Sequence, residues 1–296
     1  MASEATLNTK DQKYFVPEPS AWPFMMTISM FVFMIGFASW LNDAEIGKYI
    51  FGIGLVMILA MSFIWFRGVV NESLGGSYRV WEDKTFRWSM SWFIFSEVMF
   101  FAAFFGALYY ARVLSVPWLS GEGSEFSTNE YLWKGFEAAW PTNGPESVGG
   151  EFQTIPAWGV PFLNTIILVV SGITFEIAHH MLKEGKRGVC LAFMGLTVAL
   201  GCLFLFFQAE EYILAYQQLN LTLGSGIYGS TFFMLTGFHG AHVTLGTLML
   251  AIITLRIAKG HFKPTDDSHF AFESVGWYWH FVDVVWIGLF VFVYVV

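Results

Sequence analysis

The sequence is poor in charged residues. Lys, Arg, Asp and Glu make up 13% of its 296 residues, whereas 55% are hydrophobic and the mean hydropathy is +0.55. A water-soluble domain carries roughly 25% charged residues, and half of that cannot cover a globule of this size. With 33 Phe and 13 Trp, a soluble fold would expose large apolar patches. The composition therefore excludes a soluble enzyme, a disordered chain and a secreted disulfide scaffold, and it makes lipid the solvent for most of the chain.

Other common signals are scarce or missing. Cys190 and Cys202 lie in one apolar run, about 18 Å apart along a helix, which is beyond disulfide reach. The net charge of −8 argues against nucleic acid, which selects basic surfaces. Residues 1–18 lack the apolar core and cleavage site of a signal peptide, so we interpret 1–20 as a polar tail. No phosphate-binding loop, dinucleotide glycine fingerprint or CxxC pair occurs in the sequence.

Long uncharged runs dominate what remains. Seven of them approach or exceed the length of about 20 residues that a helix needs to cross a bilayer, and they predict an all-α integral membrane protein with seven transmembrane helices. The runs are continuous, whereas a β-barrel would alternate polarity in segments of about ten residues. The predicted parts are a two-helix unit at 21–66, a basic inner loop at 67–87, and a five-helix unit at 88–296 with an acidic outer loop at about 113–151 and a polar loop at 215–226.

Basic residues are distributed unevenly among the predicted loops. With the N-terminus inside, the inner segments hold twelve of the fifteen Lys and Arg, and the outer segments hold three. Because inner loops carry the excess of basic residues, this bias predicts a cytoplasmic N-terminus and a C-terminus outside. The loop at 113–151 has six glutamates against Lys134. We interpret it as a solvated outer loop, and the alternative is an acidic docking surface for a basic partner.

One carboxyl, that of Glu97, lies in the middle of the third predicted span. A charge at that depth costs at least about 2.5 kcal/mol, and no basic residue of the same helix can reach it. Either another helix supplies a polar partner or the acid is protonated. The flanking phenylalanines offer no charge and little water, which favours protonation. A structural hydrogen-bond donor and a proton-handling or lipid-contacting carboxyl both fit this position.

Histidines recur in the later spans. His239 and His242 lie three residues apart on the sixth span, hence on one face, and His280 and Asp283 do the same on the seventh. Paired histidines from two helices can bind haem, so a haem-binding membrane electron-transfer protein is one interpretation. The other is that these histidines are hydrogen-bonded to carboxylates such as Glu210 or Asp283. A secondary transporter is a further alternative, although the sequence shows no pair of inverted repeats.

Several motifs in these spans resemble subunit III of the haem–copper cytochrome c oxidases. They occur in the order of that family, from about residue 20 to the end of the chain. The motifs are Ser96–Val98, Val160–Thr165, Ala178–His180, Gln208–Tyr212, Tyr228–Phe233, Gly237–His242 and Trp277–Trp286. The two aromatic–histidine motifs together are very specific, and the seven spans fit the cytochrome c oxidase branch better than the shorter quinol oxidase form.

The resemblance implies an accessory, non-redox subunit of a proton-pumping oxidase that reduces oxygen to water. Haem and copper would lie in the partner subunits I and II, and this chain would carry no metal and no catalytic residue. It would support proton uptake, stabilise the catalytic subunit and hold phospholipid in a cleft between its first two helices and the last five. A respiratory supercomplex is a further implied partner. The membrane would be the bacterial inner (plasma) membrane, which we favour, or the mitochondrial inner membrane.

The resemblance also assigns roles to individual residues. Glu97 matches the intramembrane carboxyl of the family, and the histidines lose their role as haem ligands. The implied lipid-binding residues are Trp65, Phe66, Glu72 and Arg256. The motif residues with implied structural roles are His239, His242, Trp277, His280 and Asp283. Phe66 and Asn71 stand where the animal form has Trp and Arg, and loss of that cation weakens phosphate pairing.

The predicted orientation can be tested by cysteine labelling. A membrane-impermeant thiol reagent applied from outside is expected to modify a cysteine placed at position 125, in the outer loop. It is expected to leave a cysteine at position 83 unmodified, because the basic bias places 67–87 inside. Labelling at both positions would show that the number of spans or the orientation is different.

Overall fold

A computed structural model of the chain describes residues 15–16, 19–123, 126–262 and 269–296. Most of the predicted polar tail, the labelling position 125 and Lys263 lie outside these described residues. The described part is helical and contains no strand. Its α-helices are α1 (Trp22–Leu41), α2 (Gly47–Leu74), α3 (Val80–Tyr109), α4 (Val116–Leu119), α5 (Val160–Lys183), α6 (Arg187–Gln217), α7 (Gly226–Ala258) and α8 (Phe270–Leu289).

Seven helical stretches are long and apolar enough to cross a membrane, by length and composition. They are α1, α2, α3 with its continuation to Leu119, and α5 to α8, the last extended by a π-helical segment at Phe290–Val295. The all-α membrane class predicted from the sequence is therefore confirmed. The fourth to seventh predicted spans correspond to α5 to α8, because α4 is a single short turn at the end of the third span.

Helices extend into segments that the sequence predicts as loops. α2 ends at Leu74 and α3 begins at Val80, so most of the predicted loop at 67–87 is helical and only 75–79 connects the two. In the same way, α6 continues to Gln217 and shortens the predicted loop at 215–226. Long charged side chains can reach the membrane surface from within a helix. A charge therefore marks the edge of the hydrocarbon layer and not the end of the helix.

The chain comprises two compact units, Met1–Phe86 and Arg87–Val296. In the first unit α1 and α2 form a hairpin, and the backbone at Phe51 lies so close to Gly36 that a side chain on Gly36 would clash with it. The ring of Phe51 packs against Phe33 and Trp40, with centroids 4.6 and 5.5 Å apart. Small residues at a helix crossing are the usual way to bring two backbones together in lipid.

A buried carboxylate in the first unit fixes the start of α3. Glu82 accepts the backbone amide of Arg79 at 2.9 Å and that of Phe15 at 2.6 Å. The amides in the first turn of a helix lack partners within it, and a carboxylate there also complements the helix dipole. Glu82 therefore caps α3 and holds residue 15 of the tail against this unit.

In the second unit α5 to α8 form a closed bundle, in which each helix packs on the next and α8 packs back on α5. Residues 87–109 of α3 lie along α7 and α8 through ring contacts such as Phe100–Phe238 and Phe101–Phe281. Every helix that carries a candidate residue of this unit therefore meets at least two others.

Two buried tryptophans of α8 anchor it to α5. The indole N–H of Trp279 donates to Ser171 Oγ at 2.9 Å, and that of Trp286 donates to Thr165 Oγ1 at 3.0 Å. Both rings are almost fully buried. A buried indole N–H needs an acceptor, and in lipid no water can supply one. These two bonds fix the rotation of α8 relative to α5 and so place the histidines of α8.

The segment at 113–151, predicted as a solvated loop, has an apolar anchor. Trp140 packs against Tyr228 at the start of α7, with ring centroids 5.7 Å apart, and the Arg112 guanidinium lies 5.8 Å from the Trp140 ring. The side chain of Asn143 donates to the carbonyl of Gly150 at 2.8 Å and closes a turn. The average composition of the segment hides this anchor.

Candidate functional site

Two residues that the sequence analysis treats separately form a pair inside the membrane. His242 Nε2 lies 3.0 Å from Glu97 Oε2 and joins α7 to α3. The side chains are 15% and 23% exposed, respectively. Of the two alternatives for Glu97, a polar partner from another helix is the one that the structure contains. The sequence favoured a protonated acid because it does not reveal this partner, which lies 145 residues further along the chain.

The second ring nitrogen of His242 fixes the number of protons in the pair. Nδ1 lies 2.7 Å from the carbonyl oxygen of Phe238, and because a carbonyl only accepts, we assign a hydrogen to Nδ1. Nε2 then either accepts the proton of a neutral Glu97 or donates its own proton to a Glu97 carboxylate. In both forms the pair shares one proton and has no net charge, which suits a site of low dielectric constant.

Aromatic rings surround this pair. Tyr278 stacks on the His242 ring at 6.3 Å, and Phe101 approaches its edge at 5.0 Å. Phe100 packs against both Phe101 and Phe238 on the same side. These rings offer no basic group, so the shared proton has Glu97 and His242 as its two sites.

His239 lies three residues before His242 on α7 but contacts a different helix. Its Nε2 donates to the carbonyl of Val282 in α8 at 3.1 Å, and its ring packs on Trp286 at 5.1 Å. Residues three apart on a helix differ by about 60° in direction. This difference sends His242 to α3 and His239 to α8, although the sequence places them on one face. His239 is thereby a buried hydrogen-bonded tie between α7 and α8.

His280 of α8 lies between two carboxyl groups. Its Nε2 is 2.8 Å from Glu176 Oε1 of α5, and its Nδ1 is 3.7 Å from Asp283 Oδ2. The predicted proximity of a histidine to Asp283 is present, whereas Glu210 is exposed on α6. Glu176 is absent from the predicted site residues. The one sequence feature that pointed to Glu176 was its position near the end of the fourth predicted span, where its charge only marked the edge of that span.

Trp277 belongs to a charged cluster at the predicted inner end of the second unit. Arg87 Nη1 of α3 and Glu273 Oε2 of α8 form an ion pair of 2.6 Å, and the Arg87 guanidinium lies 6.0 Å from the Trp277 ring. His179 of α5 approaches the same carboxylate, with Nε2 3.5 Å from Glu273 Oε1. This cluster joins α3, α5 and α8, and Trp277 contacts it through Arg87.

A further buried carboxyl, Glu211 of α6, received no role in the sequence analysis. It accepts a hydrogen bond of 2.6 Å from the hydroxyl of Tyr294 near the C-terminus. Glu211 follows Glu210 at the edge of a predicted span, so its charge indicated only the end of that span and not a buried position. Within the described residues no group of three or more His, Cys, Asp or Glu side chains is arranged to hold a metal ion. Cys190 and Cys202 are both free thiols.

The implied lipid-binding residues of the first unit show two different environments. Trp65 and Phe66 are exposed on α2. Glu72 accepts a hydrogen bond of 2.5 Å from the Tyr78 hydroxyl. Burial of Tyr78, with the nearby Glu72 carboxylate, raises the pKa of that phenol well above its usual value, so Tyr78 stays a donor. Exposed aromatic rings of this kind suit contact with acyl chains.

In the second unit, Arg256 lies near the end of α7. Its guanidinium carbon is 4.8 Å from the ring of Phe262, and its Nε has no hydrogen-bond partner among the described residues. A guanidinium has five donors in a planar fork that matches phosphate geometry. Arg256 therefore retains the chemistry that a phospholipid head group would complement.

Replacement of Glu97 tests the shared-proton pair. Glu97→Gln keeps a donor for Nε2 of a neutral His242, so we expect folding and membrane assembly to be preserved. Glu97→Leu leaves that nitrogen without a partner and should cost about 1 kcal/mol or more. The measurement is the midpoint of unfolding in detergent, with Glu210→Gln and Glu210→Leu as the control pair at an exposed carboxyl. Equal midpoints for Glu97→Gln and Glu97→Leu would show that the pair contributes nothing to stability.

Comparison with known proteins extends the resemblance over nearly the whole chain. A sequence model of the family described as cytochrome c oxidase subunit III matches residues 12–126 and 135–296. Cytochrome c oxidase subunit 3 of Dugong dugon is 38% identical over 282 residues, which cover 95% of this chain and 96% of that protein. The subunit 3 proteins of Gadus morhua and Chondrus crispus are 36% and 34% identical, over 95% and 99% of this chain and 96% and 97% of their own lengths. This chain therefore belongs to the cytochrome c oxidase subunit III family.

Proposed function

We propose that this chain is the accessory, non-redox subunit of a proton-pumping cytochrome c oxidase, in which subunits I and II carry haem and copper. Family membership makes it an integral membrane subunit of an oxidoreductase complex. The accessory role is supported by the contacts that the histidines of the membrane helices make within the protein. His239, His242 and His280 each have a ring nitrogen within 3.1 Å of a protein carbonyl or carboxyl oxygen. These contacts support a structural role for the three side chains.

Support of proton uptake is part of this proposal. Titratable side chains cluster where α5 ends and α6 begins, on the side predicted to face inside. His180 Nε2 lies 3.0 Å from Glu184 Oε1, and Lys186 Nζ lies 2.6 Å from Glu184 Oε2. The hydrogen bond from Lys186 lowers the pKa of Glu184 below its usual value. A group of exposed acids and bases of this kind can exchange protons with water close to the uptake route of a partner subunit.

Phospholipid binding and stabilisation of the catalytic subunit complete the proposal. The exposed rings of Trp65 and Phe66 provide apolar surface for acyl chains. Arg256 provides the cation for a phosphate, and a basic residue near such a surface contributes about 1 kcal/mol. The membrane is the bacterial inner membrane or the mitochondrial inner membrane, of which we favour the bacterial one, and a respiratory supercomplex is a further proposed partner.

The alternative of a haem-binding electron carrier needs imidazole nitrogens that are free to face a shared haem. His239 Nε2 and His280 Nε2, on adjacent helices, are both engaged with protein oxygens. We therefore favour the accessory subunit over this alternative and over a secondary transporter.

Purification of the chain from its native membrane tests the proposed function. An affinity tag on this chain is expected to co-purify subunits that contain haem and copper, while the chain separated from them by denaturing dissociation and refolding in lipid shows no haem absorbance. Haem that stays with the separated chain would favour the electron-carrier alternative. Recovery of the chain without haem- and copper-containing partners would contradict the proposal.

Lipid binding has a separate test at Arg256. We expect Arg256→Gln to reduce the phospholipid that co-purifies with the oxidase, because the amide cannot pair with phosphate as a guanidinium does. Lys259→Gln, a change of the same charge at an exposed position nearby, is the control and should keep the lipid. The measurement is mass spectrometry of the intact complex. Equal lipid retention in both variants would show that Arg256 does not bind the head group.

A further inference from the structure

An exposed polar cluster interrupts the apolar surface that α5 and α8 share. Glu176, His280 and Asp283 line a groove of about 600 Å³. The side chain of Glu176 is 58% exposed and that of His280 is 39% exposed. The rest of the lining is mainly apolar and includes Val169 and Ile173. The groove thus has a polar centre and apolar walls.

Gly172 of α5 makes room for this cluster. A Cβ atom on Gly172 would lie 2.8 Å from Asp283 Oδ2 and 3.5 Å from His280 Nδ1. The absence of a side chain at this position allows the carboxyl and the imidazole of α8 to face α5. The cluster is therefore built into the packing of the two helices.

The charges of the cluster do not balance within the chain. Two carboxyl groups face the imidazole of His280, because His180, which also lines the groove, pairs with Glu184 at 3.0 Å. The other oxygen of Glu176 is 4.0 Å from His179 Nδ1, beyond hydrogen-bond distance. Asp283 is 8% exposed, and its Oδ1 is buried with no hydrogen-bond partner among the described residues. The cluster therefore has acceptors in excess and lacks a donor or a cation.

The acyl chains of lipid cannot supply what is missing. They have no donors, and ionisable residues of membrane helices face protein or water rather than acyl chains. Glu176 lies seven residues before the end of α5 at Lys183, or about 10 Å along the helix axis from that end. A lysine or arginine of a neighbouring helix can reach this position with its long side chain.

We propose that the groove between α5 and α8 is the docking face for a transmembrane helix of a partner oxidase subunit, which places a basic side chain against Glu176 and Asp283. Charge complementarity selects a cation, because two acidic side chains share one imidazole. The apolar walls formed by Val169, Ile173 and Ile177 bury the rest of that helix. This inference rests on the proposed function, since it takes the partner to be a subunit of the same oxidase.

Photo-crosslinking in the intact complex tests the docking face. A photo-reactive amino acid in place of Ile173, which is 56% exposed in the groove, is expected to form an adduct with a membrane segment of a partner subunit. The control is the same replacement at Leu248 of α7, which is 55% exposed and should not form that adduct. Mass spectrometry of the adduct should find a lysine or arginine within about one helical turn, four residues, of the crosslinked site.

Adducts at position 173 with lipid alone, with a second copy of this chain, or with a segment that has no basic residue would overturn the inference. A chain that co-purifies with haem- and copper-containing subunits but gives no protein adduct at 173 would refute the docking face and leave the proposed function intact. A chain that co-purifies with no such subunit would refute both.

Charge removal provides the second test. The double variant Glu176→Gln, Asp283→Asn is expected to leave the detergent-solubilised oxidase more readily, with about a fivefold or greater fall in the ratio of bound to free chain. Glu210→Gln, at an exposed carboxyl of α6 outside the groove, should be retained like the unaltered chain. Retention of the double variant equal to that of Glu210→Gln would contradict the inference. If the double variant does not fold, the crosslinking result at position 173 decides, because that substitution leaves the polar cluster intact.

Discussion

The constraint on which this structure depends is that lipid offers no hydrogen bonds, so each polar group must find its partner within the protein. The apolar surface of one helix gains little by leaving lipid for another helix, and polar contacts must therefore specify the packing. Each neighbouring pair in the second unit has such a contact. They are Thr174 with Thr197, Gln208 with the carbonyl of Thr236, His239 with the carbonyl of Val282, and Trp279 with Ser171.

The same constraint governs the ionisable residues. Glu97 is hydrogen-bonded to His242, and Glu211 has the phenol of Tyr294 as its donor. Each pair joins residues that are far apart in sequence, so each of these bonds also fixes a contact in the fold. Electrostatics and packing are satisfied by the same bonds, and removing one partner affects both.

The class of fold and the number of spans follow from the uncharged runs, because the bilayer imposes a minimum length on every crossing helix. The uncharged runs do not predict where the helices end, because the charged residues around 67–87 belong to helical turns that extend beyond the hydrocarbon layer. The site residues were identified individually, but apart from Asp283 beside His280 their partners were not. Periodicity shows that His239 and His242 point in similar directions. Which neighbour each one meets depends on how α7 is rotated against α3 and α8, and that rotation depends on contacts such as the close packing of Gly246 on the Trp279 ring.

Polar side chains inside the bundle and on its outer surface differ in exposure. Gln208, Glu211 and His239 are buried and each has a hydrogen bond inside the bundle, although the second polar atom of each has no partner among the described residues. On the outer surface of α5 and α8, by contrast, Glu176 is largely exposed and the carboxyl of Asp283 is incompletely paired. A stable membrane protein does not leave such groups to lipid. Exposure therefore separates the polar groups that are enclosed in the bundle from Glu176 and His280, which the proposed partner helix can reach.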